Sequence, residues 1–124
     1  KEALECEHWN HLHPLEKNKV AWVSEQFRAA KGAIVAASDY MRIVSEQIRA
    51  FLPQGLPYIC LGTDGFGRSD SREKLREHFQ VNRYFIVIAA LNALADDGVI
   101  SSSVVQDALE RFEIDAEKPY APLV

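Results

Sequence analysis

The sequence predicts an α/β fold, and three observations carry that prediction. Two short apolar runs, Ala33–Ala37 and Tyr58–Leu61, read as buried strands. Each leads into capping residues and a helical stripe, and a glycine-rich loop, Gly62–Asp70, directly follows the second run. Strand and helix in alternation is the pattern of a sheet covered by helices. A loop at the carboxyl end of a strand lies where open α/β sheets place ligands and interfaces.

The 124 residues suit one domain or part of one, and 48% hydrophobic with 26% charged residues is ordinary for a soluble globular chain. No run approaches the roughly 20 apolar residues of a membrane span. The net charge of −4, with no dense Lys/Arg cluster, argues against a nucleic-acid partner. Cys6 and Cys60 have neither metal nor redox spacing, which fits a reduced cytoplasmic setting. Lys1 leads at once into helical sequence, without an initiator Met, so the chain is expected to begin inside a larger one.

Along the chain, Leu4, His8 and Leu12 share one helical face until Pro14 stops the helix. Val20, Val23 and Phe27 have the spacing of a second short helix, with Trp22-Val23 leaving room for a strand, and Gly32 separates this segment from the first strand. Ser38 and Asp39 then offer N-caps for a helix whose stripe is Tyr40, Ile43, Val44, Ile48 and Phe51, ended by Pro53 and Gly55. After the second strand and the loop, a helix opens near Ser71 with Leu75 and Phe79 inward. Asp70 or Ser69 is expected to cap it, with Glu73 completing a capping box. Asn82 caps one long helix, Arg83–Ala95, so apolar that more than one side must be covered. Ser103 to Gln106 reads as a last capping box, before the stripe Val104, Val105, Ala108, Leu109 and Phe112. Pro119 and Pro122 keep the tail out of regular helix.

The residues that carry most information are Gly62, Thr63, Asp64, Gly65, Phe66, Gly67, Arg68, Ser69 and Asp70. Three glycines within six residues allow positive φ and close backbone approach, making Phe66 an apolar plug on a pliable loop. A phosphate cradle is the competing interpretation, but the string is neither G-x-G-x-x-G nor a Walker A loop, and Asp64 and Asp70 repel anions. His8, His11 and His13 with Glu5 and Glu7 invite a zinc site, yet the ring spacing is poor and no second ligand cluster follows; hydrogen bonding between helix and turn explains them. His78 reads as a surface histidine. Glu46, Glu73 and Asp64 are acids that ion pairs with Arg42, Arg49 or Arg68 explain, and the serines sit at caps.

The string Leu61-Gly-Thr-Asp-Gly-Phe-Gly-Arg-Ser-Asp-Ser-Arg-Glu73 resembles the C-terminal domain of homodimeric, bacterial-type pyruvate dehydrogenase, the first component of the pyruvate dehydrogenase complex. Cys6-Glu-His-Trp-Asn-His-Leu-His-Pro-Leu15, Val35–Met41, Ser45–Gln47 and Val87–Leu91 match the same family's pattern, and a Phe-Gly-x-Ser echo occurs in transketolases. The resemblance spans nearly residues 1–124 and implies a transketolase C-terminal-like three-layer α/β/α domain. That domain's first strand–helix–strand is expected to lie upstream of Lys1, since two strands make a poor sheet.

It further implies a parent that decarboxylates pyruvate with thiamine diphosphate and Mg²⁺ and passes the acetyl group to lipoyl on the acyltransferase component. In the resembled family the activating glutamate and the diphosphate–metal motif precede this domain. No catalytic, cofactor-binding or metal residue is therefore carried over. What is left for this chain is to brace a homodimer through Gly62–Asp70 and the helix Arg83–Ala95. A small standalone phosphate- or nucleotide-binding module using the Gly62–Asp70 loop is the alternative.

Overall fold

The computed structural model describes residues 1–123. In chain order it contains α1 (Glu2–Leu12), α2 (Trp22–Phe27), β1 (Ile34–Ala37), α3 (Arg42–Glu46) and β2 (Tyr58–Leu61). The helices α4 (Arg72–His78), α5 (Arg83–Asp96) and α6 (Ser102–Arg111) follow, with 3-10 turns at Arg49–Phe51 and Ala121–Leu123. The strands pair in parallel, Ile34 opposite Tyr58 through to Ala37 opposite Leu61. Tyr58 and Cys60 are the buried residues of β2, whereas β1 is only half-buried and its Ala37 is exposed. An expectation of two buried strands is therefore met by one: a two-strand sheet leaves the far edge of each strand uncovered by a neighbour.

The core lies where α5 crosses both strands and packs against α6. Ile88, Ala93, Val105, Tyr58 and Cys60 are buried there. The Asn82 side chain caps α5 by accepting from the amides of Tyr84 and Phe85, both at 3.1 Å. The sheet and α6 cover this apolar helix from within the chain, leaving Val87 as its exposed large apolar side chain.

Several local expectations need correction. One helix was expected from Tyr40 to Phe51; α3 covers only Arg42–Glu46, and Tyr40, Met41, Ile43 and Val44 are exposed. Neither Ser38 nor Asp39 caps it: Ser38 accepts from the Tyr40 amide at 2.9 Å, and Asp39 pairs with Arg76. Ser71 caps α4 by accepting from the Lys74 amide at 3.3 Å, while Asp70 accepts from the Ser71 amide, so no Asp70–Glu73 box forms. The cap of α6 is Ser101, which leaves Ser103 inside its first turn. In α1 the face with Leu4, His8 and Leu12 is exposed, and Ala3, Cys6, Trp9 and Asn10 are the half-covered residues.

Candidate interaction site

The loop that follows β2 divides into a pinned root and an open tip. Gly62 is buried, and a Cβ placed on it would lie 2.6 Å from both the Arg42 amide nitrogen and the Tyr40 carbonyl oxygen. The Thr63 amide donates to the Tyr40 carbonyl at 2.9 Å, and the Thr63 hydroxyl donates to the Asp39 carbonyl at 2.9 Å. The Asp64 carboxylate accepts from the Arg42 amide at 3.2 Å and from Arg42 Nε at 3.1 Å. It thereby satisfies an otherwise unpaired amide in the first turn of α3 and binds the guanidinium of the same residue. Gly65 has φ +111°, where a side chain is strained.

The tip is different. Phe66 is 82% exposed, and the residues from Gly65 to Asp70 all face solvent. Gly67 has no positive φ, and a Cβ there would meet nothing within 4 Å. The expectation of three conformationally demanding glycines thus reduces to two, Gly62 for space and Gly65 for φ. Arg68 anchors the far side by donating to His78 Nδ1 at 3.0 Å, while Asp70 lies 4.0 Å from its guanidinium.

His78 is half-covered rather than a free surface residue, with the Phe79 ring edge-on at 4.8 Å. Burial, with the Arg68 and Lys118 cations nearby, holds its imidazole below the ordinary value of 6.5. Folding therefore disfavours the protonated ring. The associated stability is present above the unfolded pKa near 6.5 and is lost as pH falls through the lower folded value. A urea midpoint that declines from about pH 7.5 to about pH 5 is expected, with a shallower decline in His78→Gln. Identical slopes in the two proteins would remove this account of the Arg68–His78 contact.

The other sequence-selected groups have structural occupations. His13 stacks on Trp9 at 4.1 Å and shares a 2.8 Å hydrogen bond with the Trp9 carbonyl, while His8 and His11 are exposed. Glu46 pairs with Arg49 at 2.6 Å, which holds its carboxyl below the ordinary range. Burial raises the Cys60 thiol and the Tyr58 hydroxyl, and the latter donates to the Ser45 carbonyl at 2.6 Å. Among the described residues, no group of three or more His, Cys, Asp or Glu side chains is placed to hold a metal ion.

Two contacts lie beyond the sequence pattern. Arg76 reaches both oxygens of Asp39, at 3.2 and 2.9 Å, tying α4 to the end of β1. The Ala121–Pro122 backbone packs against Gly65. The prolines signalled an irregular tail but gave no sign of where it docks.

A family model for the transketolase-like TK C-terminal domain matches residues 9–82, a span that includes both strands, the glycine loop and α4. The pyruvate dehydrogenase E1 component of Buchnera aphidicola subsp. Acyrthosiphon pisum is 57% identical over 114 residues, covering 92% of this chain and 12% of that relative. The proteins of the same name from Pseudomonas aeruginosa and Escherichia coli K12 are each 48% identical over 118 residues, covering 95% of this chain and 13% of theirs. The chain thus spans about an eighth of the length of these curated relatives.

Proposed function

We propose, from the premise that this chain belongs to the family of transketolase-like C-terminal domains, that it is a non-catalytic domain of a pyruvate dehydrogenase first component. The observation that carries the proposal is the 57% identity to such a component over 92% of the chain. The parent would decarboxylate pyruvate with thiamine diphosphate and Mg²⁺ in the cytoplasm and pass the acetyl unit to a lipoyl group on the acyltransferase. The cofactor carries that chemistry, and the domain's part is to brace a homodimer through the open tip of its glycine loop.

The residues of the glycine loop do not suit the diphosphate of the cofactor. Asp64 is already engaged by Arg42, the Thr63 amide by Tyr40, and Asp70 adds a second carboxylate where a diphosphate would need donors. The same facts count against a standalone phosphate-binding module. An exposed Phe66 on a pinned root suits an apolar partner surface instead.

Two measurements test the proposal. The full-length polypeptide containing this chain should release CO₂ from pyruvate only with thiamine diphosphate and Mg²⁺, and should acetylate a lipoyl domain. The 124-residue chain alone should give no heat in titration with the cofactor and Mg²⁺. Micromolar binding to the isolated chain, or a parent inactive on pyruvate, would overturn it.

A further inference from the structure

We propose that the segment Tyr120–Leu123 is a strap that sets the conformation of the glycine loop, holding its root in register with α3. Three observations converge on this segment. Ala121 is only 4% exposed, although Tyr120 and Leu123 on either side of the Ala121–Pro122 pair are open to solvent. A Cβ placed on Gly65 would lie 2.7 Å from the Ala121 carbonyl oxygen, 3.1 Å from its carbon and 3.3 Å from Pro122 Cα, so loop and strap meet backbone to backbone. The Arg42 guanidinium lies 5.9 Å from the centre of the Tyr120 ring while its Nε donates to Asp64, so one side chain links strap, α3 and loop.

The strap is itself a fixed piece. The Leu123 amide donates to the Tyr120 carbonyl at 2.9 Å, closing a single turn, and upstream Lys118 Nζ donates to the Glu77 carbonyl at 3.4 Å at the end of α4. Pro122 restricts the backbone where it crosses Gly65. Gly65 needs a left-handed φ, and the neighbouring strap backbone leaves no room for a side chain there. The strap and the Asp64–Arg42 pair therefore support one another: lifting Ala121 takes away the backbone neighbour on one side of Gly65 and removes the Tyr120 ring from the Arg42 guanidinium. This device stands whether or not the loop meets a partner.

Amide hydrogen exchange on the full-length polypeptide containing this chain reads it directly, because the Thr63 and Arg42 amides are the bonded groups of the loop root. Ala121→Gln, too large for the covered site, is expected to speed exchange at Thr63 and Arg42 at least about tenfold, with α5 amides unchanged. Ala121→Ser should restore wild-type protection, and Tyr120→Phe should retain what Tyr120→Ala loses at Arg42. Unchanged protection in both Ala121→Gln and Tyr120→Ala would overturn the proposal. So would an equal rise at α5, which marks general loosening rather than a strap. If Ala121→Gln fails to fold, Tyr120→Ala decides by the same two amides, since its ring is half-exposed and its loss leaves the core intact.

Discussion

Gly62→Ala is expected to destabilise the chain by about 1–3 kcal/mol, whereas Gly67→Ala in the same loop should stay within about 0.5 kcal/mol. The added methyl at Gly62 would sit 2.6 Å from two backbone atoms, the Arg42 nitrogen and the Tyr40 oxygen, and a backbone contact cannot yield as a side-chain end can. Relief requires β2 and the start of α3 to separate. That stretches the Thr63–Tyr40 hydrogen bond and both bonds from Arg42 to Asp64. At Gly67 no atom is within reach and φ is not positive, so the same methyl meets only solvent. Urea midpoints of the two variants, measured side by side, check this. Equal midpoints would mean that the loop root is not packed as described.

That contrast shows where a sequence is legible and where it is not. The glycine pattern located the loop, but three glycines look alike in a string, and only their neighbours in space separate Gly62 from Gly67. Periodicity found β2, α5 and the Asn82 cap because each depends on residues adjacent in the chain. It overextended α3 for the complementary reason. Ser38 and Asp39 are good local caps, but Arg76 draws Asp39 away from a distance of 37 residues. The acceptor for the first amide of α3 comes from Asp64, 22 residues on.

The apolar stripe Tyr40, Ile43 and Val44 likewise has helical spacing yet faces outward, since spacing states that residues share a face and not which face is covered. Ion pairing was legible in kind, as Asp64–Arg42 and Glu46–Arg49 show. The strap contact at Gly65 was not, because no local pattern encodes a long-range backbone approach.

Phe66→Ala should be nearly silent in the isolated chain and costly in the homodimer proposed for the parent. With 82% of Phe66 exposed, truncation removes little packed surface here, and a change within about 0.5 kcal/mol is expected. If the loop tip braces a dimer, the same ring becomes a desolvated aromatic anchor. Truncation then costs about 2 kcal/mol or more, roughly a thirtyfold loss in association. Sedimentation of the full-length protein over a concentration series, paired with turnover of pyruvate, separates the two states of the residue.

Gly65→Ala supplies the second arm. It leaves the ring in place but strains a left-handed position packed against Ala121 and Pro122, so it should misdirect the tip and weaken association as well. Cofactor affinity should be unchanged in both variants, because neither residue lies in a site suited to thiamine diphosphate. Dimers that stay intact and fully active in both variants would leave the loop a connector. Loss confined to Gly65→Ala would assign the effect to the shape of the loop and remove Phe66 from the interface. Because an exposed aromatic on a pinned loop gains its large contribution only from a partner surface, the difference between isolated chain and parent is the quantity that decides.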